Sequence, residues 1–405
     1  MRATMLVALV VVALPLTAQT PPAPPPPPPA PPAPPAPPPP ASPAPPEAKK
    51  TVEFTGLVLV NGFFTNARVN NVDVPQFVDT LAPASAAGGT IRQTRLGVFV
   101  TDPDVLHGTF SGEVDVDFYG GQQPSTGGRT FPLLRLRRAV GIVSWDHAQL
   151  LFGQESPLVA ERSPRSLASV GFPDFAGAGN LWLWLPQFRA TLEQGYTLRL
   201  SEQIAVLAPT AGTVQGLFNT QPDSAERSRR PYLQARVRLA WGPTDDPSEI
   251  AIGGHLGWLA AADSFFQSRA LTADTRVKLG PVEILGEAFT GKSLAGLGGG
   301  GIGQNFGPTG TAVRTKGGWG QLNVRPRREV MFGGGCGLDD PDDRDLSDAL
   351  GNPQGRLKNF VCEGHVEVRP PGPLVFGFEF RRLETTYPSG KFTANHLNLA
   401  AGFRL

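Results

Sequence analysis

The stretch His396-Leu397-Asn398-Leu399-Ala400-Ala401-Gly402-Phe403-Arg404-Leu405 closes this 405-residue sequence with a strict alternation of side chains. One face of the extended chain carries Leu397, Leu399, Ala401, Phe403 and Leu405. Such period-2 alternation predicts a strand with one apolar and one wet face. A barrel whose last strand pairs with its first satisfies the free edge of that strand in lipid. The C-terminal strand therefore predicts an all-β, transmembrane antiparallel β-barrel.

The N-terminus is typical of an exported protein. Arg2 precedes the apolar run Leu6–Leu16, and small residues follow it up to Ala18. This order predicts a signal peptide over residues 1–18, cut after Ala18. The apolar run is shorter than the roughly 18 residues of a membrane-spanning helix, although an uncut signal that serves as an anchor stays an alternative.

A proline-rich linker follows the signal. Residues 21–46 are almost wholly Pro and Ala, a composition that favours extended polyproline II. We therefore expect a periplasmic linker over residues 19–50. It either contacts peptidoglycan or another partner, or serves only as an inert tether.

From residue 51 the sequence divides into alternating segments of about ten residues. We expect about sixteen strands in a barrel over residues 51–405, with fourteen or eighteen as alternatives. The expected strands are 51–64, 90–101, 107–119, 131–142, 144–155, 181–192, 196–208, 231–242, 247–260, 268–280, 281–291, 315–326, 327–336, 357–369, 373–386 and 391–405. Breakers such as Asp102-Pro103-Asp104 predict short periplasmic turns, and the long connections 65–89, 156–180, 209–230, 292–314 and 337–356 should face outward.

Charge composition limits the function. The chain has 36 Lys+Arg and 35 Asp+Glu, a near-neutral balance that argues against a nucleic-acid binder. Charged residues instead recur on one face of alternating strands. Arg or Lys facing lipid costs roughly 2–4 kcal/mol at the bilayer midplane, so these faces should line water.

The parity of the strands predicts the pore-lining residues. They are Arg95, Glu113, Asp115, Asp117, Arg135, Arg137, Arg189, Arg236, Arg238, Arg276, Lys278 and Arg381. Arg236, Arg238, Arg276 and Lys278 should form a basic wall, and the three acidic residues an opposing wall several strands away. Rings of arginine favour anions, although ordinary lumen side chains without strong selectivity are the alternative.

The connection 156–180 is the candidate constriction loop. It contains Glu161, Arg162, Arg165 and Asp174 among small residues. Folded inward near residues 156–180, it would narrow the pore and place charges beside the solutes. An outward surface loop is the alternative.

Three stretches resemble the phosphate-selective porin and dicarboxylate porin (DcaP-like) families. They are Arg229-Arg230-Pro231-Tyr232-Leu233-Gln234-Ala235-Arg236-Val237, Arg95-Leu96-Gly97 with Gly112-Glu113-Val114-Asp115-Val116-Asp117-Phe118, and Phe152-Gly153-Gln154-Glu155. The resemblance implies a sixteen-stranded, usually trimeric channel whose third outer loop enters the pore. It also implies passage of small anions such as phosphate or dicarboxylates.

Cys336 and Cys362 are the two cysteines of the chain. Export favours their oxidation, and both share the outward parity of their strands, so we predict a disulfide at the ends of two neighbouring strands. It would enclose an acidic loop rich in aspartate, which we interpret as a solvated surface loop, with calcium binding as an alternative. Zinc bound by Cys362 and His365 would lack ligands.

Gly286–Ser293 matches the phosphate-loop pattern G-x-x-x-x-G-K-S. A phosphate loop must lead into a helix, but glycines follow this one, so we predict a strand and an outer loop instead. The five histidines are scattered and suggest no catalytic arrangement. We therefore expect no enzyme activity, no metal and no cofactor.

The sequence thus predicts a porin of the bacterial outer membrane, a passive diffusion channel for small hydrophilic solutes with mild anion preference. It would contact outer-membrane lipid and lipopolysaccharide and form a homotrimer. The alternative is a structural or adhesive barrel that binds partners through its proline-rich arm and surface loops.

Overall fold

The computed structural model describes residues 49–81, 84–120, 132–212, 221–261, 264–346, 352 and 354–405. The expected signal peptide (1–18) and all but the last two residues of the expected linker (19–50) lie outside the described residues, so both stay predictions. In the described part of the chain, no helix is long and apolar enough to cross a membrane.

Seventeen strand segments of the described chain form one antiparallel sheet. They are β1 (Thr51–Thr65), β2 (Ala86–Thr90), β3 (Arg95–Val105), β4 (Gly108–Asp117), β5 (Arg135–Ser144), β6 (Ala148–Glu155), β7 (Leu185–Gln194), β8 (Leu198–Leu207), β9 (Tyr232–Trp241), β10 (Ser248–Ala261), β11 (Ser264–Leu279), β12 (Val282–Lys292), β13 (Arg314–Arg327), β14 (Val330–Pro341), β15 (Lys358–Val368), β16 (Leu374–Tyr387) and β17 (Gly390–Arg404). Strand β2 pairs with residues 61–65 of β1, and β3 pairs with residues 51–57. These two segments form one interrupted strand, so the barrel has sixteen strands and the predicted fold is confirmed.

The last strand closes the barrel. Strand β17 pairs with β1 from Leu57↔Arg404 to Thr65↔His396, and the backbone amide of Leu405 donates to the carbonyl of Gly56 at 3.0 Å. Asn398 faces inward and is buried, whereas Leu399 faces outward and is 62% exposed. The alternation of the C-terminal stretch therefore gives the inward and outward faces that it predicted.

Short turns join the strands at one end of the barrel, which we call the periplasmic end, and most of the connections at the outer end are long; β10–β11 and β16–β17 are the outer pairs with short connections. The first short turn is Leu106-His107, whose φ angles of 53° and 60° fit a two-residue hairpin turn. The expected turn at Asp102-Pro103-Asp104 was wrong, because β3 continues through these residues. The register shifts between Asp102 and Val105, and such a bulge tolerates a proline that cannot donate to the sheet.

The acidic loop is also shorter than expected, because β14 extends to Pro341 and includes Asp339 and Asp340. Asp339 is fully buried and accepts from the hydroxyl of Thr315 at 2.6 Å and from the amide of Ile302 at 3.0 Å. It thus holds the connection 293–313 rather than lying in solvent. These donors are distant in sequence, so alternation alone did not reveal them.

The phosphate-loop pattern lies on a strand, as predicted. Its residues Gly286 to Lys292 belong to β12. One short 3-10 turn, Ala295–Leu297, follows it. Such a turn does not supply the helix N-terminus on which a phosphate loop depends.

Candidate constriction of the barrel lumen

The connection 156–184 enters the barrel directly after β6. Pro157 leads into a 3-10 turn at Leu158–Ala160, whose three residues are buried. They pack in an apolar cluster with inward side chains of the wall, including Leu207 and Leu259. Since these apolar residues follow an outer strand end, burial against the wall removes them from water and directs the chain inward.

A first anchor joins the connection to strands β7, β9, β10 and β11. The guanidinium of Arg236 is fully buried and lies 3.0 Å from Glu161, 2.7 Å from Asp274 and 3.1 Å from Glu249. Arg189 contacts the other oxygen of Glu161 at 2.5 Å. Burial alone would raise the pKa of the Glu161 carboxyl, but the neighbouring guanidiniums of Arg236 and Arg189 lower this pKa to about 2. Glu161 is therefore ionised and paired at any physiological pH.

A second anchor lies on strands β15 and β16. Arg381 contacts Asp174 of the connection and lies 2.6 Å from Glu379. The carboxylates of Asp174, Glu363 and Glu379 lie within 4.8 Å of one another, so they crowd around this guanidinium. Burial and the charge of Glu379 raise the pKa of Asp174 to about 7, against the opposing effect of Arg381. The same residues could contact a cation, but the guanidinium already compensates part of their charge.

A third anchor lies on β5. Arg137 donates to the carbonyl of Val170 at 2.6 Å, and Arg135 donates to the carbonyl of Gly171 at 2.7 Å. The connection then returns along the opposite wall, where Gly179 adopts a φ of 95°. A Cβ there would lie 2.3 Å from the carbonyl of Gly318, so this close approach requires glycine. The connection is therefore held from several sides of the lumen.

The predicted pore-lining residues are paired locally rather than separated into two walls. Arg95 lies 2.6 Å from Asp115, and Arg135 lies 2.6 Å from Asp117. Arg238 on β9 lies 2.6 Å from Glu193 on β7, two strands away. Arg276 lies 2.5 Å from Asp246 in a periplasmic turn, and Lys278 contacts the same carboxylate. Alternation along one strand predicts the face of each residue, but not which carboxylate of another strand or turn pairs with it; Glu193 and Asp246 were not among the predicted residues.

Arg138 is a lumen residue that parity missed. The pairing of β4 with β5 shifts between Asp115 and Val116, so Arg138 lies opposite Asp115 while Leu136 lies opposite Val116. The extra residue of this bulge brings Arg138 to within 2.7 Å of Glu113 and into contact with Glu155. Arg138 was not among the predicted pore-lining residues, because strict alternation from Arg137 gives it the outward face and a bulge leaves no signal in a period-2 pattern.

A cavity of about 320 Å³ lies beside the connection. Six arginines line it: Arg95, Arg137, Arg162, Arg165, Arg325 and Arg369. Two carboxylates, those of Glu161 and Glu367, line it as well. Of the four predicted loop residues, three therefore reach this cavity, and Asp174 lies instead in the second anchor. Arg325 and Arg369 were not predicted, because each lies near a periplasmic strand end where alternation is interrupted by turn residues.

The two cysteines are bonded and lie directly opposite each other on β14 and β15, with Cα atoms 4.1 Å apart. They lie in the middle of their strands rather than at the ends, because β14 is longer than expected. Their side chains are on the outward face, as their parity indicated.

Replacing both cysteines by serine should lower the free energy of unfolding by ~3 kcal/mol, because the bond restricts a 26-residue separation in the unfolded chain. The measurement is the temperature at which the compact barrel band is lost on an unboiled gel. Thiol labelling of unreduced, unfolded wild type is the control and should find no free thiol. Two labelled cysteines would contradict the disulfide.

No protein-family model and no curated protein matches this chain. Among solved structures, it is similar to the outer membrane channel DcaP of Acinetobacter baumannii, with 17% identity, a TM-score of 0.65 and coverage of 89% of this chain and 98% of the other. The anion-selective porin from Comamonas acidovorans is 12% identical, with a TM-score of 0.55 and coverage of 88% and 99%. Salmonella typhi OmpF is 8% identical, with a TM-score of 0.56 and coverage of 87% and 97%. This chain thus has the barrel fold of outer-membrane porins.

Proposed function

We propose that this protein is a porin, a passive channel that admits small hydrophilic solutes and prefers anions. The observation that supports this most directly is the cavity beside the connection 156–184, which is lined by six guanidiniums and two carboxylates. Carboxylates behind the lining pair with several of these arginines, as Asp115 does with Arg95 and Glu283 with Arg165, but the charged groups nearest to an ion in the cavity are mostly guanidiniums. Low-dielectric walls concentrate such a field, so anions should enter more readily than cations.

Within this proposal, phosphate- or dicarboxylate-like solutes are the favoured class. Guanidinium groups bind the oxygens of carboxylates and phosphates in a bidentate manner. Several arginines around one cavity suit an anion with two charged ends or several oxygens. The sequence resemblance to the DcaP-like families points to the same solutes.

The homotrimer implied by that resemblance is also part of the proposal, as is contact of residues 19–50 with peptidoglycan. Chemical cross-linking in intact outer membranes tests both. A cross-linked species of three chains is expected, together with material bound to peptidoglycan that requires residues 19–50.

Conductance in planar bilayers tests the channel. The folded protein should give discrete open steps, and the reversal potential in a KCl gradient should indicate anion preference. Inorganic phosphate or a small dicarboxylate at millimolar concentration should reduce the chloride current. A neutral sugar of similar size is the control and should leave the current unchanged apart from its effect on viscosity.

A structural or adhesive barrel is the second candidate. It is favoured by the extent to which connections fill the lumen: besides 156–184, the connection 66–81 reaches inward residues, where the carbonyl of Pro75 accepts from Arg381 at 2.9 Å. Folded protein that never conducts would support this candidate and contradict the channel.

A further inference from the structure

A row of like charges crosses the outward face of the barrel at its outer end. Arg269 on β11 lies directly opposite Lys292 on β12, and Lys292 lies directly opposite Arg314 on β13. Neighbouring strands are about 4.8 Å apart, and like charges in directly opposed positions destabilise a sheet. We call these three residues the basic row. The row is unfavourable for folding unless an anion compensates it.

The carboxylates nearby compensate only one end of the row. Arg314 lies 2.8 Å from Asp345 and 3.0 Å from Asp342. The side chains of Arg269 and Lys292 have no ion pair or hydrogen bond among the residues that the structure describes. Arg269 is exposed and Lys292 is half-buried, so both are open to a ligand from outside the barrel.

The basic row marks the outer edge of the apolar belt. Two residues toward the periplasmic end, Leu271 is 63% exposed on the same face of β11. Nearby, the guanidinium of Arg230, which precedes β9, lies 5.5 Å from the ring of Trp258 on β10 and 5.0 Å from that of Phe265 on β11. Outward aromatic residues beside arginine are typical of the level where hydrocarbon meets headgroups.

A concave surface surrounds the row. It encloses about 1450 Å³ and is bounded by the row, by Thr309–Thr311 and by residues 340–345. Its five basic side chains and four aspartates nearly balance, but Asp340 pairs with Lys316 at 3.3 Å, and Asp342 pairs with Arg344 at 2.9 Å. The cations without a described partner are therefore those of Arg269 and Lys292. The concavity is large enough for sugars as well as a phosphate.

We propose that the basic row binds the phosphate groups of lipopolysaccharide in the outer leaflet. The partner must be anionic, because it lies against unpaired cations. It must be amphipathic, because the apolar belt begins directly beneath the row. It must approach from the side of the barrel, because the three side chains point away from the lumen.

The test is the affinity of fluorescently labelled lipopolysaccharide for the full-length protein in detergent, compared with the double variant Arg269→Gln/Lys292→Gln. Both residues are free of described partners, so the variant should fold. Each cation near a membrane surface strengthens the binding of an anionic lipid. Loss of two should therefore weaken the binding of lipopolysaccharide roughly 10- to 30-fold. The matched control is Arg382→Gln/Lys391→Gln, which removes two charges from half-exposed side chains on β16 and β17, and it should change the affinity less than about twofold.

Two further arms identify the ligand. Dephosphorylated lipopolysaccharide should bind to wild type as weakly as the intact lipid binds to the row variant. Equal binding of both lipids to wild type, or equal affinity of the row variant and wild type, would overturn the proposal. Displacement of the lipid by millimolar inorganic phosphate would assign the row to free phosphate instead. A change of oligomeric state without a change in lipid affinity would make the row a contact between copies. None of these outcomes depends on ion conductance. The proposal that the basic row binds lipopolysaccharide can therefore be wrong while the channel proposal is right, and the reverse.

Discussion

Replacing Arg165 and Arg325 by glutamine should shift the reversal potential of the channel toward cation preference. Both residues line the cavity beside the connection 156–184. The Arg165 side chain is 42% exposed, although it also lies 2.7 Å from Glu283. Among the described residues, the Arg325 side chain has no carboxylate partner and donates only to the sulfur of Met331, at 3.3 Å. Arg325 is therefore the least compensated positive charge of the cavity, and Arg165, although paired with Glu283, is exposed enough for a solute to reach it.

The size of the effect follows from Coulomb's law. A unit charge 4 Å from an ion interacts with it by about 1 kcal/mol in water, equivalent to roughly a fivefold change in relative occupancy. Loss of two such charges should lower the anion-to-cation permeability ratio roughly fivefold or more at 0.1 M KCl. The difference should nearly vanish at 1 M KCl, where the Debye length is about 3 Å.

The control for this selectivity prediction is Arg382→Gln/Lys391→Gln. This variant removes the same net charge from the outer surface and should leave the reversal potential unchanged. An unchanged reversal potential in Arg165→Gln/Arg325→Gln at low salt would show that neither arginine lies beside the ion path. The anion preference would then need another origin.

The fold was predictable because lipid imposes a simple rule on every strand. Alternation in residues 396–405 predicted both faces of β17, and the same rule gave sixteen strands. Local sequence failed where geometry departs from ideal alternation. The bulge that turns Arg138 inward and the continuation of β3 through Pro103 both depend on how a strand fits its neighbour, which a single segment does not encode.

The candidate site was only partly predictable for a related reason. Parity correctly placed Arg236 on the inward face of β9, but it suggested that this residue lines the path of solutes. Its guanidinium is instead enclosed by Glu161, Asp274 and Glu249, which come from the connection and from two other strands. Which carboxylate reaches which guanidinium depends on barrel closure and on the path of the connection. Neither can be read from one strand.

This enclosure leads to a second prediction, that Arg236→Gln should destabilise the barrel and release the connection 156–184. Removing one partner of a buried ion pair typically costs 3–5 kcal/mol, because the remaining charges stay buried without compensation. Arg162 and Arg189 would still contact this group of carboxylates, so we expect about 3 kcal/mol. The released connection should make single-channel currents larger and noisier, while the anion preference falls little. Arg238→Gln is the matched control, since its side chain is 23% exposed and its loss should be several-fold smaller in free energy.

The pH dependence separates loss of the anchor from a direct effect on ions. In wild type the depressed pKa of Glu161 means that its stabilisation is present above the ordinary carboxyl pKa and is lost only as the pH falls toward about 2. The first anchor should therefore add no change in wild-type current noise between about pH 8 and about pH 4, whereas protonation of Asp174 in the second anchor, whose pKa is about 7, should affect wild type and Arg236→Gln alike. In Arg236→Gln the carboxylates of Glu161, Asp274 and Glu249 repel one another. Acidification should protonate one of them and so reduce the current noise. Noise that is equal in the variant and wild type at every pH, with unchanged thermal stability, would mean that Arg236 does not hold the connection. A shift in reversal potential larger than that of Arg165→Gln/Arg325→Gln would instead place Arg236 beside the ions, against its complete burial.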